Sequence, residues 1–383
     1  MDSPVTLTRS TRFLAAAAIG ALTLGLAACG SSDDTSSTPA STTSDTASTG
    51  TDLADLTATL AGAGSSAQSK AVEAWIAGVN AQAPNVSITY DPSGSGAGRE
   101  QIAAGAVDFA GSDAYLTADE TSATAATCTT DVLELPLYIS PIAVVYNVPG
   151  LSTEHLQLDA ATIAKIFDGK ITKWNDPAIA ALNDGVDLPD LAIVTVHRSD
   201  NSGTTTNFTE YLNKASDGAW SYDPSGDWPI QGGQSGEGTQ GLIDVVNGAE
   251  GAIGYADASR AGDLGTVAVK VGDAFNAPTA EGAAKTFDVS PAASTASDTQ
   301  LTVDPDRTTT EAGAYPVILV SYVIACQGQP DADKAAALKA YLTYAASAEG
   351  QTAAADPSVA GSAPISDELR TKVDAAIATI TTR

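Results

Sequence analysis

The sequence predicts an α/β fold whose sheet is largely parallel. Short apolar runs rich in β-branched residues, such as residues 86–90, alternate with stretches whose apolar residues recur at helical spacing, such as residues 66–80. Ser/Gly-rich turns join several of the predicted strands directly to the helices that follow. This alternation is typical of an α/β sheet covered by helices, and 383 residues are enough for two domains of ordinary size.

The N-terminal segment, residues 1–28, is predicted to be a secretion signal that is no part of the fold. Two arginines precede an apolar run at residues 13–28, which has the length of a signal-peptide core. The run ends in Leu26-Ala27-Ala28-Cys29, which resembles a bacterial lipobox in which Cys29 is lipidated; a plain signal peptide with an incidental cysteine is the alternative. Residues 29–51, almost all Ser, Thr, Ala and Asp, are predicted to be a lipid anchor and flexible linker.

The folded region is predicted to begin at residue 52. Strands are expected at 53–60, 86–90, 106–112, 132–147, 251–255 and 315–326. Helices are expected at 66–80, 99–105, 161–167, 239–247, 332–348 and 367–380. The Ala/Ser/Thr/Asp-rich segment 279–312 is interpreted as long loops with little core.

Three Ser/Gly-rich turns lie between a predicted strand and a predicted helix, at residues 61–66, 93–98 and 198–204. Glycine allows the backbone to turn sharply and approach a ligand, and the free N–H groups of a helix start favour an anion. Ligands of parallel α/β sheets bind beyond the carboxyl ends of the strands, where these turns fall. The three turns therefore predict one anion-binding site.

Two charged residues refine the nature of the anion. Arg198 follows the apolar run 191–196, and its planar guanidinium group is suited to hold an oxyanion against the next helix. Asp113 lies just past the strand predicted at 106–112. A carboxylate only accepts hydrogen bonds, so it repels a fully ionised anion but accepts from one that still carries a proton. Among common tetrahedral oxyanions at neutral pH, this favours phosphate over sulfate.

Composition excludes several other classes of protein. The chain has 18 Lys and Arg against 46 Asp and Glu, a formal net charge of -28, which disfavours nucleic acid and anionic membrane surfaces as partners. Its only histidines, His155 and His197, lie in no Cys/His cluster, so no metal site and no cofactor are expected.

Besides Cys29, the cysteines are Cys128 and Cys326, which are expected to pair in an exported protein. The sequence leaves open whether the two cysteines approach closely enough to form a disulfide bond.

Six motifs occur in an order that identifies a family. They are Gly62-Ala63-Gly64-Ser65-Ser66, Tyr90 with Gly94-Ser95-Gly96, Val107-Asp108-Phe109 with Ser112-Asp113, Ile171-Thr172-Lys173-Trp174-Asn175-Asp176, Arg198-Ser199-Asp200-Asn201-Ser202-Gly203-Thr204, and Gly251-Ala252-Ile253-Gly254-Tyr255. This order resembles the PstS family, the phosphate-binding proteins of bacterial phosphate importers. The resemblance runs from Leu53 to the C-terminus.

The resemblance implies a two-lobed periplasmic-binding-protein fold, a type II-like clamshell with phosphate in the cleft between lobes. Each lobe would be a mixed sheet flanked by helices, with lobe I at 52–142 and 315–383 and lobe II at 143–314. It also implies delivery of phosphate to an ABC permease. The lipobox predicts that Cys29 anchors the chain to the outer face of the cytoplasmic membrane, and the protein is expected to be a monomer.

Carried over residue by residue, the resemblance implies a set of phosphate ligands. Hydroxyl and backbone groups would donate hydrogen bonds, Arg198 would supply the charge with Asp200 holding it in place, and Asp113 would accept the phosphate proton. Ala67 stands where family members often have an aromatic residue. The complete expected set is Ser65, Ser66, Ala67, Ser95, Asp113, Arg198, Ser202, Gly203 and Thr204, with Asp200 in support.

Two alternatives belong to other functional classes. A secreted phosphatase needs a nucleophile with metals or a base beside the phosphate, and the shortage of histidine and of metal-ligand clusters counts against it. A membrane-anchored surface-interaction or phosphate-sensing protein would depend instead on the acidic loops at 280–312. Deleting those loops would then abolish function, whereas Arg198→Ala would not.

Overall fold

The computed structural model describes residues 53–151 and 153–383. The predicted signal peptide, Cys29 and the linker at 29–51 lie outside the described residues and stay predictions. Within the described ranges, no helix combines the length and the apolar character that crossing a bilayer requires.

Strands and helices alternate along most of the described chain. The strands are β1 (Ala58–Gly64), β2 (Val86–Asp91), β3 (Phe109–Ser112), β4 (Val132–Tyr146), β5 (His155–Leu158), β6 (Val194–Arg198), β7 (Gln234–Gly236), β8 (Ala252–Asp257), β9 (Gly265–Val271), β10 (Ala274–Asn276), β11 (Ile318–Cys326), β12 (Gly328–Gln329) and β13 (Thr381–Thr382). The helices are α1 (Ser69–Gln82), α2 (Ser95–Ala103), α3 (Ala118–Cys128), α4 (Ala160–Phe167), α5 (Pro177–Ala180), α6 (Gly203–Ala215), α7 (Gly238–Gly248), α8 (Ala280–Val289), α9 (Ala332–Ala346), α10 (Ala348–Ala355) and α11 (Asp367–Ala378), with a 3-10 turn at Ala258–Arg260.

The main sheet has the strand order β2-β1-β3-β11-β4-β8-β6-β7, and β9 joins it to β5 and β10. The strands β2, β1 and β3 at one end are parallel, as are β8, β6 and β7 at the other. In the middle, β11 and β4 run antiparallel to each other and to their outer neighbours. The sheet is therefore mixed, with a parallel group at each end.

The long strand β4 connects these two groups. All of its 15 residues are buried. It pairs first with β11 along Val132–Pro141 and then with β8 along Ile142–Tyr146. The prediction of one long strand at 132–147 is confirmed. The division of the chain into lobes at 52–142, 143–314 and 315–383 stays a prediction.

The predicted disulfide is present between Cys128, the last residue of α3, and Cys326, the last residue of β11. Their Cα atoms are 5.3 Å apart, although 198 residues separate them in sequence. Strand β11 runs antiparallel to β3, and Ala325 near its end pairs with Phe109 at the start of β3. The bridge at Cys326 therefore lies at the end of the sheet where β3 begins.

One prediction about the C-terminal half is wrong. Segment 279–312 is not only loops, because it contains α8, whose first turn is capped by Thr279 Oγ1 accepting from Gly282 N at 3.1 Å. Ala283 is fully buried in the core and Arg307 is 2% exposed. Residues 299–301 also pair with β4, where Glu134 N donates to Thr299 O and Leu301 N donates to Glu134 O, both at 2.9 Å.

The side chain of Glu134 holds the same segment. It is fully buried, accepts from Leu116 N at 2.7 Å and from Gln300 Nε2 at 2.6 Å, and burial raises its pKa from 4.5 to about 7 despite these hydrogen bonds. The folded state therefore binds more protons than the unfolded state between pH 4.5 and pH 7. The stability that this protonated carboxyl contributes is fully present below pH 4.5 and is lost as the pH rises through 7.

We expect Glu134→Gln to unfold like the wild type near pH 4.5 and to be more stable at pH 8. The shift corresponds to roughly 3 kcal/mol, at about 1.4 kcal/mol per pKa unit. Urea unfolding of both proteins across this range measures the difference in free energy of unfolding. A difference that does not change with pH would contradict the assignment.

Candidate anion-binding site

The predicted site residues follow the carboxyl ends of parallel strands in the two halves of the sheet. We call the residues after β1, β2 and β3 the first wall: Ser65, Ser66, Ala67, Ser95 and Asp113. We call Arg198 and the starts of α6 and α7 the second wall. All nine predicted ligand residues are buried.

Arg198 ends β6 and forms the charged part of the second wall. It is 3% exposed, its Nε donates to Asp200 Oδ1 at 2.7 Å, and its Nη2 contacts Asp200 Oδ2. Asp200 also accepts from Gly238 N at 3.0 Å. Burial alone would raise the pKa of Asp200, but the hydrogen bonds and charge of Arg198 outweigh it and lower that pKa. The expected supporting contact between Arg198 and Asp200 is therefore present in the structure.

Helix α6 begins directly after this ion pair. Ser202 caps it, with Oγ accepting from Thr205 N at 3.3 Å. The first N–H groups of a helix, here those of Gly203 and Thr204, have no acceptor within the helix. They carry the positive end of the helix dipole and favour a negative ligand.

Asp113 lies just past β3, as predicted, and is 3% exposed. Its Oδ1 accepts from Ser321 Oγ at 2.7 Å and its Oδ2 from Thr204 Oγ1 at 3.2 Å. Burial raises the pKa of Asp113, and hydrogen bonds from Ser65 and Ser321 together with the charge of Arg198 oppose that rise only in part. The carboxyl group therefore holds a proton more readily than an exposed aspartate.

The turn after β1 differs in detail from the expectation. The prediction that a helix starts at residue 66 is wrong, because α1 begins at Ser69. The turn before it is held to β3, where Ser65 N donates to Gly111 O at 2.8 Å. Ser66 Oγ lies 3.0 Å from Thr239 Oγ1 and accepts from Thr239 N at 3.0 Å, which links the two walls. The N–H of Ala67, expected to be available, donates to Ser65 Oγ at 3.2 Å.

The turn after β2 meets the start of α6. Ser95 Oγ accepts from Asp113 N at 3.2 Å, and Gly96 N donates to Asn201 O at 3.2 Å. A Cβ atom on Gly203 would lie 2.6 Å from Ser95 Oγ and 2.7 Å from the Cβ of Asp113. Only glycine therefore fits at this position without moving both walls apart.

The structure brings all three predicted turns and both predicted charges together. Sequence reasoning missed several polar residues that contact this group: Asn207, Thr239, Tyr255 and Ser321. Two of them had a signal in the sequence. Thr239 follows the Gly-rich turn 231–238, and Ser321 is the single serine within the apolar run of β11.

Comparison with known proteins places the chain in a family. The model of the PBP superfamily domain matches residues 35–349. Phosphate-binding protein PstS 3 of Mycobacterium tuberculosis is 34% identical over 368 residues, covering 94% of this chain and 97% of that protein. PstS 2 of the same organism is 34% identical over 365 residues, covering 94% and 96%.

Solved structures share the fold. A phosphate-binding protein from Stenotrophomonas maltophilia superposes with a TM-score of 0.63 at 19% identity, covering 83% of this chain and 93% of that one. A putative phosphate ABC transporter substrate-binding protein from Clostridium perfringens, with bound phosphate, gives a TM-score of 0.56 at 20% identity, covering 79% and 98%. The predicted periplasmic-binding-protein fold class is confirmed. The chain belongs to the PBP superfamily and, within it, to the PstS family of phosphate-binding proteins.

Proposed function

We propose that this chain captures inorganic phosphate outside the cytoplasm and delivers it to an ABC permease. The observation that carries the proposal is the meeting of Asp113, Arg198 and the start of α6 in one buried group. Arg198 and the helix N–H groups attract an oxyanion, while Asp113 selects one that shares a proton with it. The relatives from Mycobacterium tuberculosis, named for phosphate binding, support the same ligand.

The proposed ligands are the nine residues expected from the sequence, with Asp200 in support; for Ala67 to be one of them, its N–H must turn from Ser65 Oγ to the anion. Hydrogen bonds to a charged ligand contribute ~1.5–3 kcal/mol each, so several of them exceed the roughly 8 kcal/mol of micromolar affinity. We further propose that the protein acts as a monomer, without a cofactor and without catalytic activity. Its proposed anchor is lipidated Cys29 on the outer face of the cytoplasmic membrane.

Calorimetric titration of the purified, ligand-stripped protein with phosphate and then sulfate at pH 7 tests the function. We expect micromolar or tighter phosphate binding and no sulfate heat, because sulfate has no proton to share with Asp113 at this pH. A folded protein that gives no phosphate heat would rule out the transport function. Turnover of a chromogenic phosphate ester would instead support a phosphatase.

Asp113→Asn tests the origin of the selectivity. We expect the ratio of phosphate to sulfate affinity to fall by about 100-fold or more, because the asparagine amide donates to either anion. Because burial raises the pKa of Asp113, the ionised carboxylate destabilises the folded state at high pH. The ligand-free variant should therefore gain stability over the wild type as the pH rises above the ordinary value of 3.8. An unchanged selectivity in a stably folded variant would refute the role of Asp113.

A further inference from the structure

Arg307 is a buried cation in the segment that the sequence predicts to be loops. It is 2% exposed and uses all of its N–H donors. Nε and Nη2 donate to Glu210 Oε2 at 3.1 and 3.0 Å, Nη1 donates to Pro316 O and Ile318 O at 3.1 and 2.7 Å, and Nη2 also donates to Asn207 Oδ1. Burial lowers the pKa of Arg307, and the carboxylate of Glu210 opposes that shift.

The guanidinium group determines how the side chain of Asn207 is oriented. Arginine only donates hydrogen bonds, so the amide atom that faces it must be Oδ1. The Nδ2 group then points the other way, where it donates to Asp113 O at 2.6 Å and to Gly203 O at 2.9 Å. Without Arg307, a rotation of the amide by half a turn would exchange donor and acceptor.

These two carbonyls belong to opposite sides of the proposed phosphate site. Asp113 lies in the first wall, and Gly203 starts α6 in the second wall. Arg307 also contacts the start of β11, the strand that carries Ser321 and so holds the Asp113 carboxylate. One guanidinium group is thus connected to Asp113 through α6 and through β11.

We propose that Asn207, oriented by Arg307, is a positioning residue that holds the two walls together and thereby raises phosphate affinity. The inference rests on the proposed function. Asn207 bonds main-chain atoms of both walls, so it acts on their separation while the Asp113 carboxyl and Arg198 remain in place. In the closed arrangement the two walls are in contact. A hydrogen bond that increases the fraction of ligand-free molecules in this arrangement lowers the apparent dissociation constant for phosphate by the same factor.

Removing the Asn207 side chain should open the site without unfolding the protein. Asn207, Asp113 and Glu210 line a cavity of about 310 Å³, which has room for water to hydrate the carbonyl left without its donor. We expect Asn207→Ala to weaken phosphate binding about tenfold, mainly through faster dissociation. Ligand-free Asn207→Ala should also have a larger radius of gyration in solution scattering.

The matched control is Asn213→Ala. Asn213 lies on the same helix and also donates its amide to a main-chain carbonyl, that of Tyr222 at 3.0 Å, but it does not contact Asp113. We expect phosphate affinity and radius of gyration to stay at the wild-type values in this variant. An equal loss of affinity in both variants would show a general effect on α6 and overturn the inference.

A double-mutant cycle tests whether Arg307 acts through Asn207. Arg307→Lys should weaken phosphate binding in the wild-type background and have little further effect when combined with Asn207→Ala. If Arg307→Lys does not fold, the variant Asn207→Asp is measured instead. Its carboxylate still accepts from Arg307 but repels the main-chain carbonyl of Asp113. The phosphate affinity of Asn207→Asp should therefore fall below that of Asn207→Ala. Additive losses in the cycle, or an Asn207→Asp variant that binds as well as Asn207→Ala, would overturn the inference.

Wild-type titration separates this inference from the proposed function. If the wild type binds phosphate and Asn207→Ala binds equally well, the positioning role is wrong and the function stands. If the wild type binds no phosphate, the function fails and the affinity claim falls with it. Scattering of the ligand-free proteins then still reports on the contact, and equal radii of gyration for wild type and Asn207→Ala would refute it as well.

Discussion

Arg198→Ala is expected to weaken phosphate binding by about 30-fold or more in calorimetric titration at pH 7. The guanidinium group is 3% exposed and supplies the positive charge of the second wall. Truncating one partner of a buried, hydrogen-bonded charge pair costs about 2–5 kcal/mol, and each 1.4 kcal/mol is about tenfold in affinity. The variant also leaves the Asp200 carboxylate unpaired beside the anion, which adds repulsion to the lost attraction.

Two further variants make this test specific. Arg198→Ala combined with Asp200→Asn should recover part of the affinity, because the unpaired carboxylate is gone. Arg370→Ala removes an arginine whose partner, Asp367, is 95% exposed on α11, and should bind phosphate like the wild type. An Arg198→Ala protein that binds within about threefold of the wild type would contradict the proposed site, since that difference is under 1 kcal/mol.

Replacing Cys128 and Cys326 together by alanine is expected to lower the free energy of unfolding by about 3–5 kcal/mol. The bridge closes a loop of 198 residues, and cross-linking so long a loop removes much conformational freedom from the unfolded chain. Urea unfolding of the oxidised wild type and of the double variant measures the loss. Wild type treated with a reductant serves as the control that keeps both side chains.

Phosphate affinity should remain within about twofold in the same double variant, because the effect of the bridge lies mainly in the unfolded state. The bridge lies beyond the start of β3, whereas Asp113 follows the other end of that strand. Equal unfolding midpoints for the oxidised protein and the variant would refute the stabilising role. A large loss of affinity without a loss of stability would instead connect the bridge to the site.

The sequence determined the chemistry of the proposed site because that chemistry is local. The turn at 198–204 contains, within seven residues, a strand end, a cation, its carboxylate partner and a helix cap. Glycine, serine and aspartate at such positions have backbone preferences and capping roles that act over a few residues. The position of Asp113 just past a short strand was predictable for the same reason.

Element boundaries depended on contacts that the sequence does not display. Strand β1 extends to Gly64, and α1 begins only at Ser69. The pairing of β1 with β3 brings the backbone of Gly64 and Ser65 against Gly111, which keeps these two residues out of the helix. A Cβ on Gly64 would lie 2.0 Å from Gly111 O. Local propensity alone predicts that the helix starts near Ser66, because serine is a preferred residue at the N-cap of a helix.

The segment at 279–312 shows the limit of composition as a guide. Its Ala, Ser, Thr and Asp content predicts loops, yet Arg307 packs there with residues of α6 and with the start of β11. Asn207 and Arg307 are 100 residues apart in sequence, and Ser321 and Asp113 are 208 apart. The sequence by itself determined the fold class, the family motifs and the local parts of the proposed anion site. Only the tertiary structure decided which distant polar groups orient those parts, because a buried donor takes its partner from whatever the folded chain brings within hydrogen-bond distance.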